Sequence, residues 1–266
     1  MHLDYEQISR YSRHIALDDV GEEGQATLLS ARVLVVGAGG VGSPGLLYLA
    51  AAGVGTLGIV DFDTVDLSNL QRQIVHGEET IGEPKVKSAA ERLAGLNPDI
   101  TIKTHRTRFT PGNASDLVGQ YDLIVDGSDN FTTRYLLNDA CYFAGKPLVA
   151  AAVLRFEGQL STFKPYLDGE NHPCYRCLFP SPPAPGSIPR CEQAGIFGAV
   201  AGVMGTLQVS ETIKEILGLG ESLSGKLLLY DGLSARFTTL MVNRDPDCPL
   251  CGDAPKITSL VPEEDL

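Results

Sequence analysis

The chain has 266 residues, 43% of them hydrophobic, enough to bury the core of one large domain or two small ones without disulfide staples. Its formal net charge of -12 argues against a nucleic-acid footprint, because phosphate backbones are bound by Lys- and Arg-rich faces. Any anionic ligand must therefore meet a locally basic site. The opening Met1-His2-Leu3-Asp4 has no basic region followed by an apolar run, and the longest apolar stretch, 195–207, is too short and glycine-rich to cross a bilayer. A cytoplasmic chain with no membrane segment is expected.

Taken in order, residues 5–15 place Tyr5, Ile8, Ser12 and Ile15 on one face, which predicts a short amphipathic helix. From Arg32 apolar strands alternate with helical stretches. Strands are expected at 33–36, 57–61, 100–104, 123–126 and 148–153, and helices at 42–52, 84–96 and 131–144. Such alternation means a doubly wound, Rossmann-like α/β fold with a mainly parallel sheet covered on both faces. After Ala150 the runs 159–163, 226–230 and 237–242 look like strands joined as hairpins, so the sheet is expected to become mixed and antiparallel. Six of the sixteen prolines fall between 173 and 189, marking an exposed loop that leads to Cys191. The expected organisation is one domain: a helical arm over 1–30, a nucleotide-binding half over 31–153, a mixed-sheet half over 154–252 and a flexible tail over 253–266.

Gly37-Ala38-Gly39-Gly40-Val41-Gly42 sets G-x-G-x-x-G between a strand and a helix. Glycines there let the backbone turn tightly and approach a phosphate, and the helix N-terminus offers unpaired N–H groups to the anion. Asp61, 19 residues after Gly42, is placed for a carboxylate to accept both ribose hydroxyls. An adenine nucleotide is expected here, a bare strand-helix turn being the alternative. The motif alone does not separate NAD from ATP.

Downstream lie Asp63, Ser68-Asn69-Leu70-Gln71-Arg72-Gln73 and Gly82-Glu83-Pro84-Lys85. A triphosphate on so acidic a protein needs cations such as Arg72 and Lys85, whereas a dinucleotide's pyrophosphate is largely served by the helix N-terminus; this favours ATP. Taken alone, Lys85 reads as a solvated first-turn lysine. Asp126-Gly127-Ser128-Asp129-Asn130 follows the fourth strand, at the edge where open α/β sheets bind ligands. Asp129 is suited to hold Mg2+ or, more plainly, to cap the following helix.

Cys174-Tyr175-Arg176-Cys177 and Cys248-Pro249-Leu250-Cys251 form two Cys-x-x-Cys knuckles, the donor set of a closed tetrahedral zinc site. Their wide separation makes this a clasp between distant segments. Two short disulfides or a redox pair are the alternatives. Cys141 lies in an apolar helix and reads as a small core residue.

Together these residues, with Arg10-Tyr11-Ser12-Arg13-His14, make the chain resemble the MoeB/ThiF/HesA family, adenylyltransferases related to the adenylation domains of ubiquitin-activating enzymes. The resemblance runs from about residue 5 to 252 and leans towards the MoeB-type molybdopterin-synthase adenylyltransferases. It implies that Gly40 lies against ATP, Asp61 binds the ribose, Asn69, Arg72 and Lys85 contact phosphates, and Asp129 holds Mg2+, with Gly37, Gly39, Gly42, Asp63, Ser68, Gln73 and Asn130 completing the site. It also implies a homodimer in which Arg13 reaches the partner's triphosphate, the alternative being a surface arginine. The implied substrate is a β-grasp sulfur-carrier protein ending in Gly-Gly, whose terminal carboxylate attacks the α-phosphorus of ATP. Cys191 resembles the family cysteine that can form a covalent linkage with the carrier; a tolerated loop thiol is the plainer reading. A chain ending at Leu266 leaves no room for a sulfurtransferase domain, so a separate sulfur donor protein is expected. The rivals are an NAD-dependent oxidoreductase and a non-enzymatic regulatory scaffold.

Overall fold

β1 (Arg32–Val36) buries four of its five residues and β4 (Leu123–Asp126) buries all four, so both strands must be covered on each face. The computed structural model that shows this describes residues 2–167, 169, 172–183 and 194–260. Around β1 and β4 run β2 (Thr56–Val60), β3 (Thr101–His105), β5 (Leu148–Leu154), β6 (Glu157–Phe163), β7 (Lys226–Asp231) and β8 (Arg236–Met241). The strand order is β3-β2-β1-β4-β5-β6-β7-β8, parallel from β3 to β5 and antiparallel from β5 to β8. The expected mixed sheet is therefore present, and β6–β8 extend the nucleotide-binding half without a break.

Alternate residues of the strands feed two cores. Val33, Val35, Leu57, Ile59, Leu123 and Val125 pack on one face with α4 (Gly42–Ala51), α5 (Lys85–Leu96) and α9 (Gly198–Leu217). Leu34, Val36, Ile124 and Leu148 pack on the other with α6 (Pro111–Gly119), α7 (Phe131–Ala144) and α8 (Tyr175–Leu178). Cys141 sits in this second core, where burial pushes its thiol up, as the core reading expects.

Three expectations need correction. The helix over 5–15 is broken into α1 (Tyr5–Arg10) and α2 (Ser12–Ile15), because Tyr11 turns inward and its hydroxyl accepts from Asn97 Nδ2 at 2.8 Å. The apolar face read from Tyr5 and Ile8 is consequently exposed, at 86% and 38%, while Tyr11 is 3% exposed. Second, β5–β6 and β7–β8 are hairpins, but β6 reaches β7 through α8 and α9, not a turn. Third, α6 and the 20-residue α9 stand where no helix was expected, while α3 (Gly21–Ser30) lies in the stretch expected as a helical arm. Of the tail expected to be flexible, Lys256 and Ile257 donate their N–H groups to Pro249 O and Leu260 packs against the second core. Residues 261–266 lie outside the described residues.

Candidate functional site

The chain leaves β1 for β2 and β3 on one side, then crosses back to β4 on the other, so the carboxyl ends of β1 and β4 flank a topological switch point. Two loops meet there. Gly37 has φ +98°, and a Cβ on it would lie 2.7 Å from Gly127 O, so only glycine permits the contact. A Cβ on Gly42 would overlap Gly37 O, which fixes how tightly α4 starts. The N–H groups of Gly39, Gly40, Val41 and Gly42 have no acceptor among the described residues. They form an anion-seeking rim at a helix N-terminus.

Asp61 organises this rim as well as facing it. Its Oδ2 accepts from Ala38 N at 2.9 Å and its Oδ1 from Asp63 N at 2.9 Å. Directly after it, Phe62 carries the guanidinium of Arg108 3.6 Å from its ring centroid. The segment 66–73 wraps over the rim. Asp66 caps a short 3-10 turn by accepting from Ser68 N and Ser68 Oγ, and these bonds lower its carboxyl below the ordinary value. Asn69 Oδ1 accepts from Asp66 N, while its amide nitrogen has no acceptor among the described residues.

Arg72 is brought to the glycine loop: a Cβ at Gly40 would sit 3.4 Å from its Cγ, and its Nη1 donates to Ser68 O at 3.1 Å. Gln73 is buried beside Gly39, with Oε1 unpartnered. Lys85 is not a solvated first-turn lysine. Its side chain is 8% exposed, and Nζ pairs with Asp63 Oδ2 at 3.2 Å, Asp63 itself being half exposed. A buried stem with its ammonium held by an exposed carboxylate is a cation ready to exchange that partner for a more highly charged anion.

On the β4 side Asp126 is buried and accepts from Ser128 N at 2.8 Å; burial pushes its carboxyl up, opposed by the Arg134 guanidinium. Arg134 Nη2 donates to Ser128 O at 2.6 Å, and Ser128 Oγ is buried without a partner. The cap of α7 is Asn130, whose Oδ1 accepts from Thr133 N at 2.9 Å. Asp129 therefore does not cap the helix, contrary to its plainer reading, and its carboxylate is exposed beside the crevice. Among the described residues, the four buried side-chain oxygens without a partner, on Ser43, Gln73, Ser128 and Gln208, all lie on segments flanking the switch point, as expected where a polar ligand or water completes the bonding. Arg13 is exposed on α2 and makes no ion pair among the described residues. Cys191 lies outside the described residues.

Sequence reasoning passed over His76 and Gln208. His76 Nε2 lies 3.0 Å from Ala38 O, and Gln208 Nε2 donates to Asp126 O at 2.8 Å and Val149 O at 2.9 Å. Their partners are distant in the chain, so no spacing signal marks them.

The two cysteine knuckles do come together. All four Sγ atoms lie within 4.8 Å of one another, with Cys174–Cys248 at 3.5 Å, Cys177–Cys251 at 3.4 Å and Cys174–Cys177 at 3.9 Å. These separations exceed a disulfide bond of about 2.0 Å and match four sulfurs about 2.3 Å from one tetrahedral ion, which are about 3.8 Å apart. The donor set fits zinc. Behind it, Arg176 forms a two-pronged pair with Asp139 at 2.8 and 2.7 Å, tying the first knuckle to α7.

Residues 11–250 match the ThiF family. A sulfur carrier protein adenylyltransferase from Thermus thermophilus is 51% identical over 260 residues, covering 97% of this chain and 96% of that protein. A SAMP-activating enzyme E1 from Haloferax volcanii is 51% identical over 94% of this chain and 91% of its own length. A probable adenylyltransferase/sulfurtransferase MoeZ from Mycobacterium tuberculosis is 50% identical over 98% of this chain, which spans 65% of it. Among solved structures, E. coli MccB with ATP superposes with a TM-score of 0.74 at 24% identity, covering 91% of this chain and 73% of that one. At that identity the likeness concerns the fold.

Proposed function

Since this chain belongs to the ThiF family, we propose that it adenylylates the C-terminal Gly-Gly carboxylate of a β-grasp sulfur-carrier protein. The carboxylate oxygen attacks the α-phosphorus of ATP, pyrophosphate leaves, and an acyl adenylate forms for later sulfur transfer from a separate donor protein. No protein nucleophile is needed for that step. The chain's work is to hold the polyphosphate, offset charge on the departing pyrophosphate and keep the reacting atoms in line.

The observation that carries this reading is the row of four N–H groups at residues 39–42 unpaired among the described residues, with Arg72 against Gly40 and a buried Lys85 paired with Asp63. Asp61 takes the ribose, Asn69, Arg72 and Lys85 take the phosphates, and the exposed Asp129 holds Mg2+, which would neutralise phosphate charge. Arg13 acts across a homodimer, a role supported by α1 burying none of its own residues and leaving Tyr5 and Ile8 exposed. The buried four-thiolate cluster needs reducing surroundings, which supports a cytoplasmic location.

ATP–pyrophosphate exchange against purified β-grasp carriers tests the proposal. Exchange is expected only with a carrier ending in Gly-Gly, and thermal stabilisation by ATP-Mg but not NAD; the carrier that supports it also identifies the molybdopterin or thiamine branch. Arg72→Ala is expected to slow exchange by about 10²-fold or more. A chain stabilised by NAD alone and silent with every carrier overturns the proposal. Cys191→Ala is expected to leave exchange intact and to abolish any covalent carrier conjugate.

A further inference from the structure

Two bonds hold Ala38, in the middle of the glycine loop, from opposite sides. Its N–H is taken by Asp61 Oδ2 at 2.9 Å, and its carbonyl lies 3.0 Å from His76 Nε2. Ala38, at 0% exposure, and His76, at 9%, are removed from bulk water, while Asp61 is half-buried. The other ring nitrogen of His76 lies 2.8 Å from Ser88 Oγ on α5, one turn beyond Lys85, and Ser88 Oγ lies 3.0 Å from Thr80 Oγ1. A carbonyl only accepts, so Nε2 carries the proton on that side, and Nδ1 is held against the Ser88 hydroxyl. Burial lowers the His76 pKa from the ordinary imidazole value, which keeps the ring neutral at neutral pH.

The consequence follows from the planarity of the peptide bond. In a trans peptide the C=O of one residue and the N–H of the next point in opposite directions, and no cis peptide is present among the described residues. Holding the Ala38 carbonyl inward therefore turns the Gly39 N–H outward. That N–H is the first of the four on the rim with no internal acceptor.

Resting on the adenylylation reading, we propose that His76 is a positioning residue for the polyphosphate: it locks the Ala38–Gly39 peptide so that Gly39 N–H faces the anion, and through Ser88 it keeps that peptide in register with the helix carrying Lys85. It touches no reacting atom. Glycine at 39 makes the lock necessary, because a residue without a Cβ resists a peptide flip least.

The test compares His76→Leu, which has no donor, with His76→Gln, whose amide nitrogen can reach the carbonyl, in carrier-dependent ATP–pyrophosphate exchange by the full chain. Adenosine serves as a competitor that lacks phosphates. His76→Leu is expected to raise the KM for ATP about tenfold, as the loss of one buried hydrogen-bonded lock would. The adenosine inhibition constant and the KM for carrier should stay within about twofold, and His76→Gln should recover most of the ATP affinity. A folded His76→Leu with an unchanged KM for ATP overturns the proposal, as does an equal loss for ATP and adenosine. Should His76→Leu fail to fold, Ser88→Ala keeps the ring but frees it to rotate, with an expected rise in the KM for ATP of about threefold; no rise overturns the proposal. A wild-type chain without ATP exchange removes the adenylylation reading itself, whereas exchange that ignores these variants removes only the role of His76.

Discussion

Arg176 and Asp139 are 3% and 7% exposed at their side chains, and neither could be left there alone. The guanidinium meets both carboxylate oxygens and lies 4.7 Å from the Tyr135 ring centroid, while Asn138 Oδ1 accepts from Tyr175 N. Asp139→Ala strands a buried cation and is expected to lower unfolding stability by about 3–5 kcal/mol in urea titration. Replacing both residues by apolar ones should cost much less, and equal losses would mean that the pairing is not the reason. Titration acts at the same scale. Burial lowers the pKa of His76 and, chiefly through burial as well, of His105 from 6.5. The folded state therefore binds fewer protons than the unfolded chain below that value, so stability is full above about pH 6.5 and declines as pH falls towards the folded-state values. Urea midpoints should drop between pH 7.5 and 5.5, with a shallower slope in His105→Gln; a flat profile would contradict this. Among residues, the glycines and Asp61 were legible because their demands are local, a turn and a strand end. His76 was not, since its meaning depends on a carbonyl 38 positions away.

At the level of elements, β1, β2 and β4 follow the apolar runs closely because each is buried on both faces and reads as continuous, whereas β3, at the sheet edge, is largely exposed. Helices α5 and α7 were legible from the strand-helix alternation, α7 ending at Gly145 in the left-handed region. The signal for α6 was present but passed over: Thr110 precedes Pro111 at the first helical position and Asn113 completes a capping box. The miss at α9 has a different cause. It packs between the sheet and α3 and α4, with Val200, Ala201, Met204 and Val209 buried, so it shows little contrast between faces and reads as an apolar, glycine-rich stretch. Gln208 on α9 is its polar anchor, donating to two sheet carbonyls at the ends of β4 and β5. Gln208→Leu leaves both buried carbonyls short of a donor and is expected to cost about 1–3 kcal/mol by chemical denaturation. No measurable loss would show that other donors reach them.

Across the molecule the two cores on either face of the sheet are continuous through β1 to β5, whereas the cysteine cluster forms a small core of its own with Leu250 and Ile257. Metal removal should therefore act locally before it acts globally. Under a strong chelator, hydrogen exchange is expected to rise in 172–178 and 246–257 while β1–β4 keep their protection; uniform loss of protection would mean that the clasp stabilises the whole fold. The sequence by itself determined the chemistry available to this protein: a glycine loop after a strand, an acid beyond it, cations in an acidic chain and two thiol knuckles, each recognisable from a short stretch of chain. Only the tertiary structure decided which of these meet. That Gly37 touches Gly127, that Arg72 crosses Gly40, that Lys85 is buried against Asp63 and that Cys174 faces Cys248 are contacts between segments far apart in the chain. Such contacts are selected by how two apolar faces of one sheet are covered, and no local spacing records that choice.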